Sequence, residues 1–283
     1  MLSKERLMKA LGQRNLMPLF EKWGFYNEKW SLDDIETVTT VARLDFFHLM
    51  DCIKEVRKHC LNTANKVSPR FPLIRLAALY HDASYSLEDG KMKHKDARDE
   101  ALESAWQMMR HFEFSQAHIK FVRALIRVHD YNLISTNAKR DPKQNQPLRQ
   151  WRKALIDANA VSRDVNWRSI LRLALADCDG KQAWWRKWLA RPIIRYFRQH
   201  ELMGDIVYSR ADLAISTEEI FNVCPELDPR RLTEVYNHLL NHVALNGYEY
   251  NNRAELVMET VAYIRGKQTD GDILDSRVHL EVL

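Results

Sequence analysis

At 283 residues the chain is long enough to bury a sizeable core in one or two domains. Hydrophobic residues make up 46% of it and charged residues 29%, the balance of a soluble globular protein, and a net charge of +5 is too small to argue by itself for nucleic acid. No run of about eighteen apolar residues occurs, which argues against a membrane span.

Glycine and proline are scarce, and apolar residues recur mostly at helical spacing, so an all-α fold is predicted. The amino terminus leads into an amphipathic pattern and not into the apolar core of a signal peptide, so no secretion is implied. A helix around Lys4 to Leu11 and a second apolar stretch around Leu16 to Trp23 form a packing arm. Ser31-Leu32-Asp33-Asp34 then supplies an N-cap and an acidic first turn for a helix running through His48 towards Cys60. Asn62 to Pro69 reads as a loop. Pro72 suits the first turn of the next helix, which carries Leu73, Leu76, Ala77 and Tyr80 and ends at His81-Asp82. The turn-rich segment Ser84 to Lys93 precedes helices from His94 to His111 and from Ser115 to about Val128.

Residues 132–146 form a polar stretch whose length suits a mobile flap beside a site. Helices resume over Leu148 to Ala158 and Trp167 to Cys178, and an aromatic, basic helix runs from Lys181 to His200, kinked or restarted by Pro192. Asp212 to Gly266 reads as three short helices, with caps at Ser216-Thr217-Glu218-Glu219 and Asp228-Pro229. Cys52, Cys60, Cys178 and Cys224 make no paired zinc spacing and read as reduced cytoplasmic thiols.

The chemistry concentrates at helix ends. The run Leu76-Ala77-Ala78-Leu79-Tyr80-His81-Asp82 stops at an adjacent imidazole and carboxylate, a pair suited to a divalent cation if other segments supply further ligands. His48, His94, His129 with Asp130, and Asp177 all lie within or beside apolar helical patterns. His48, His81, Asp82 and Asp177 are the expected ligands of one ion, with positions left open for water and phosphate. If His94 and His129 turn inward, a second ion is expected with Asp82 bridging. His59, His111, His118, His200, His238, His242 and His279, lacking such a context, are assigned structural or exposed roles.

This order of residues resembles the HD-domain phosphohydrolase superfamily, and more narrowly the HD-containing bacterial CCA-adding tRNA nucleotidyltransferases. The similar segments are Asp45-Phe46-Phe47-His48-Leu49-Met50, Arg75 to Asp82, Phe121 to Asp130, and Ala176-Asp177-Cys178-Asp179-Gly180-Lys181. The last makes Asp177 the ligand and Asp179 the reserve. Asp212 to Ile215, Leu232 to Gly247 and Asn251 to Leu256 are similar to that family's tail, and Glu5 to Phe20 faintly to its neck. The resemblance implies an HD helical bundle over residues 37–180, preceded by a neck-like arm (1–36) and followed by a helical tail domain (181–283). It also implies one or two divalent ions, Mn2+, Ni2+, Co2+, Mg2+ or Fe2+, in a cytoplasmic enzyme.

Two departures matter. The nucleotidyltransferase head has no counterpart in this sequence, so nucleotide addition is not expected of this polypeptide. The family's Gly-Lys after His-Asp is replaced by Ser84-Tyr85, leaving Lys91, Lys93 or Lys95 to neutralise phosphate.

In the aromatic helix, Lys187, Arg191 and Arg195 share a face able to meet phosphates, with Arg198, Trp184 and Trp188 nearby to contact or stack on RNA. Packing of the tryptophans between domains is the competing explanation. The expected activity is metal-dependent hydrolysis of phosphoesters in nucleotides or RNA ends, including 2′,3′-cyclic phosphates. Asp82, His129, Asp130 and Lys93 are the catalytic candidates, and Arg127 is a further phosphate neutraliser. The alternative is an RNA-binding subunit with little catalysis. Expected partners are a nucleotide or tRNA-like RNA and either a second copy or a separate nucleotidyltransferase, with no membrane.

Overall fold

The computed structural model describes residues 4–16, 54–82, 86–88, 91–93, 97–129, 133–134, 146–180 and 188–278. The protein is all-α, with one small hairpin among the described residues. Its described residues divide into two units. The first takes residues up to Pro147 and Asp157–Ile194; the second takes Leu148–Ile156 and everything from Arg195 onward.

In the first unit, α1 (Lys4–Leu11), α2 (Lys54–Lys66) and α3 (Pro72–Tyr80) are followed by strands β1 (Ser86–Glu88) and β2 (Lys91–Lys93). Then come α4 (Ala97–His111), α5 (Gln116–His129), the shared helix α6 (Gln146–Val161) and α7 (Trp167–Gly180). Helix α3 is the centre: every residue from Ile74 to Tyr80 is buried, and α2, α4, α5, α7 and α1 all pack against it. A helix apolar on nearly every side, with one arginine whose charge is satisfied internally, belongs in the middle of a bundle. Its carboxy-terminal end, His81-Asp82, is therefore carried into the interior.

One charge is buried with α3. The Arg75 guanidinium, fully buried, donates to the carbonyls of Val67 (2.9 Å), Leu11 (2.6 Å), Arg14 (3.3 Å) and Gln13. Burial pushes its pKa below the ordinary arginine value. The carbonyls at the end of α1 gain a cationic partner, as helix carboxy termini favour. Leu7, Leu11 and Leu16 are fully buried, and the Leu16 amide donates to Asn65 Oδ1 at 2.7 Å, so the start of the arm docks on the core.

Helix α2 differs from expectation. It runs on to Lys66, through the segment expected to be a loop, because Leu61, Thr63 and Ala64 are fully buried and tertiary packing outweighs the polar character of Asn62 to Lys66. Helices α2 and α7 approach so closely at Gly180 that a Cβ there would lie 3.2 Å from the Thr63 backbone and 2.4 Å from its Oγ1. The turn-rich segment contains the antiparallel pair β1–β2, with Leu87 opposite Met92. The expected helices over 16–23 and 31–53, and most of the expected flap, lie outside the described residues.

The second unit takes α8 (Ala190–Met203) from Arg195 onward, followed by α9 (Thr217–Val223), α10 (Leu232–Asn246) and α11 (Arg253–Val278). Pro192 sits in the first turn of α8, which starts at Ala190, and residues 181–187 of the expected helix lie outside the described residues. Ser216 forms the expected capping box with Glu219, and Asp228 caps a short 3-10 turn with Pro229 at its start. Helix α11, 26 residues long, is not the short element expected. The unit's core joins Trp151, Phe197 and Tyr248, and the buried Arg152 donates to Ala244 O (2.8 Å) and Leu245 O (3.2 Å) near the end of α10.

Candidate metal centre

Four helices of the first unit meet at one point. His59 comes from α2, His81 caps α3 and Asp82 follows it, His129 closes α5, and Asp177 lies in the last turn of α7. These helices pack on one another pairwise around α3. One ligand atom each from His59, His81, Asp82 and Asp177 lies within 4.8 Å of all the others.

The contacts are specific. His59 Nε2 stands 2.9 Å from Asp177 Oδ1 and 3.4 Å from Asp82 Oδ2. His81 Nε2 stands 3.2 Å from Asp177 Oδ1, 3.3 Å from Asp82 Oδ2 and 3.2 Å from His59 Nε2. His129 Nε2 reaches the other oxygen of the same carboxylate, Asp82 Oδ1, at 3.4 Å, and its ring meets His81 edge to face at 4.4 Å between centroids.

The His81 tautomer is set by its surroundings. Its Nδ1 lies 2.6 Å from Ala78 O, a group that only accepts, so Nδ1–H donates there. In the neutral ring Nε2 then presents a lone pair to two carboxylate oxygens and a second imidazole. Electron pairs converging in a buried pocket need a proton or a cation between them.

The electrostatics agree. Burial disfavours charge on Asp82, yet His81 together with hydrogen bonds from His129, His59 and His81 holds its carboxyl far below the usual range. Asp177 is likewise depressed, with burial overcome by hydrogen bonds from His59 and His81 and by the charges of His81 and His129. Burial also opposes charge on His81, but Asp82 and Asp177 raise its pKa well above the ordinary value. His59 is raised for the same reasons: burial opposes, and Asp177 and Asp82 prevail. Two imidazole nitrogens and two carboxylate oxygens form a donor set able to hold a divalent metal ion.

Of the expected ligands, His81, Asp82 and Asp177 are brought together, with His129 beside them. His48 and His94 lie outside the described residues. His59, assigned a structural or exposed role from sequence, belongs to the cluster, and that assignment is corrected. Its signal was positional: Val56, Cys60, Leu61 and Ala64 continue an apolar helical pattern that sets His59 beside a buried seam, once the helix is allowed past Cys60. Asp130 lies outside the described residues, Lys93 closes strand β2, and Arg127 is exposed on α5.

The aromatic, basic segment divides in two. Trp184 and Lys187 lie outside the described residues. Trp188 is 59% exposed, with the Arg191 guanidinium 3.8 Å over its ring centre. Beyond Pro192 the aromatics serve packing: Phe197 is fully buried, and the Tyr196 hydroxyl accepts from Arg152 at 3.2 Å while its ring stacks on Tyr248. Arg195 and Arg198 are exposed.

No protein-family model matches the chain, and no curated protein or solved structure matches it either. Among the described residues no helix is long and apolar enough to cross a membrane.

Proposed function

We propose that the protein is a metal-dependent phosphohydrolase of the HD type, acting on phosphoesters of nucleotides or RNA ends, 2′,3′-cyclic phosphates among them. The observation that carries this reading is the convergence of His59, His81, Asp82 and Asp177 on one buried point, with His81 Nε2 aimed inward by the hydrogen bond of Nδ1 to Ala78 O. The order of the His-Asp pair and the later histidine and aspartate is the one the HD resemblance implies.

These four residues would hold a divalent ion. The mixed nitrogen and oxygen donors suit Mn2+, Fe2+, Co2+ or Ni2+ better than Mg2+, which prefers oxygen alone. Such an ion supplies Lewis acidity, lowering the pKa of water and drawing charge from a phosphoryl oxygen.

The chain's own residues orient and hold protons. Asp82 presents Oδ2 to His59 and His81 while Oδ1 faces His129, so one carboxylate positions three imidazoles. His129, partly exposed at the edge of the cluster, is the residue to hand a proton to the leaving oxygen. Its contact with Asp82 keeps the ring in place for that transfer.

The test is hydrolysis of an aryl phosphodiester, 2′,3′-cyclic nucleotides and RNA ends with each of Mn2+, Ni2+, Co2+, Fe2+ and Mg2+. Activity in wild type that disappears in Asp82→Ala supports the proposal, and silence with every metal overturns it. The exposed Trp188 and Arg191 pair favours a second reading, an RNA-binding subunit in which unpaired bases stack on the indole. RNA affinity that survives His81→Ala and falls in Trp188→Ala, with no hydrolysis, would select it.

A further inference from the structure

Helix α5 buries Ile119, Val122, Leu125, Ile126 and Val128 and turns Lys120, Arg123 and Arg127 away from the core, Lys120 and Arg127 exposed and Arg123 half-buried. Spacings of three and four residues set these cations on one face, in a row about 10.5 Å long at 1.5 Å per residue. No Asp or Glu occurs between Gln116 and His129 to alternate with them. None of the three makes an ion pair or a hydrogen bond among the described residues, and Glu103 on the neighbouring α4 accepts from Gln107 at 2.9 Å.

We infer that Lys120, Arg123 and Arg127 form a cationic rail that binds the phosphodiester backbone of RNA, whatever its base sequence. A solvated helix face ordinarily mixes signs, because like charges three or four residues apart repel and opposite ones attract. Arg127, in the last turn, also answers the negative end of the helix dipole, but Lys120 and Arg123 lie too far from that end to share the role. A row of three like charges is matched by a chain that itself repeats a negative charge, whereas a single phosphate meets only part of it. Helix α5 offers bases no exposed Phe, Tyr or Trp to stack on, Phe121 being half-buried, so phosphate contacts carry the binding.

The same helix ends at His129, on the edge of the metal centre. About two and a half turns separate Lys120 from His129 at 3.6 residues per turn, so His129 faces in where the rail faces out. A free nucleotide can engage the centre alone, but a polymer passing around the end of α5 engages both. The rail rests on the hydrolase reading for its choice of RNA and narrows that reading to the end of a chain held by its own backbone, in preference to a free nucleotide.

The test is binding of a labelled single-stranded RNA of about 12 nucleotides to the full chain, followed by fluorescence anisotropy over a range of salt, with folding checked by circular dichroism. Lys120→Gln, Arg123→Gln and Arg127→Gln together should weaken binding at least about tenfold at low salt. The slope of log affinity against log salt should become shallower by about 2, since each phosphate contact on a single strand contributes about 0.7. A control removing the same charge from exposed cations elsewhere, Lys153→Gln, Arg163→Gln and Arg230→Gln, should stay within about threefold of wild type. Absence of salt-sensitive RNA binding in wild type, an unchanged slope in the folded rail variant, or an equal loss in the control overturns the inference; the last would mean that net charge alone attracts RNA. Run without added metal, the assay reads binding and not turnover, so its failure is distinct from failure of the hydrolase reading.

Discussion

In the first unit, imidazoles and carboxylates converge where helices meet, inside the bundle; in the second, they face each other from the sides of two helices, partly open to water. The His81 and Asp82 side chains are 0% and 11% exposed, whereas those of His238 on α10 and Glu259 on α11 are 31% and 27% exposed. Water can satisfy what the second cluster leaves unpaired, whereas burial largely shields the first from it. Similar residue types thus become a buried, tightly coupled centre in one place and a partly exposed helix seam in the other. Burial sets the difference, and it follows from α3 being buried on every side from Ile74 to Tyr80.

Neutralising one carboxylate in each should separate the two regions most sharply. Asp177→Asn is expected to lower metal-dependent hydrolysis at least about 100-fold, since even residues that only orient ligands account for 10–100-fold. Glu259→Gln should leave hydrolysis within about twofold in the same assay. Equal losses in both variants would break the comparison.

Gly180→Ala tests how the first cluster is held. The added Cβ would stand 2.4 Å from Thr63 Oγ1 and 3.2 Å from its backbone, so the Thr63 side chain must move and the contact between α2 and α7 must give. Overpacking of this kind costs about 1–3 kcal/mol. Denaturant unfolding should show that loss, and metal affinity should fall with it, because His59 and Asp177 ride on the two helices being separated.

Acidity should distinguish the regions next. In the metal-free protein, His59 and His81 have raised pKa values, so their contribution to stability is complete below the unfolded histidine value of about 6.5 and is lost as pH rises through their folded values. Asp82 and Asp177 are depressed, so their contribution is present above the unfolded carboxylate value of about 3.9 and persists until strong acid. Metal binding requires the imidazole protons to leave and so strengthens with pH. The gap in melting temperature between Mn2+-loaded and metal-free protein should therefore widen from pH 6 to pH 8. A constant gap would contradict the assignment of His59 and His81 as ligands.

The smallest effect belongs to the second unit alone. Ser216→Ala removes the capping box of α9 and should cost about 1 kcal/mol without changing metal affinity at the first centre.

Much of this was legible in the sequence because it depends on local pattern. An apolar run that ends at His-Asp, an Ala-Asp near a helix end, Ser216 three residues before Glu219, and Pro72 at a first turn all announce themselves. His59 did not, because its role depends on where α2 ends. Thr63 and Asn65 look like loop residues until α7 and the Leu16 amide cover them. The aromatic, basic segment was undecidable for a similar reason: periodicity cannot tell the buried Phe197 from the exposed Trp188. The β1–β2 pair went unread because strands of three residues carry too little alternation to stand out in a helical chain.

His59 is also where the account is most exposed. The decisive measurement is Mn2+-dependent hydrolysis of 2′,3′-cyclic nucleotides and an aryl phosphodiester by wild type and by His59→Ala, with folding confirmed for both. The account predicts turnover in wild type and a loss of at least about 100-fold in the variant. Full activity in folded His59→Ala, or no activity in wild type with any of the metals, would contradict it.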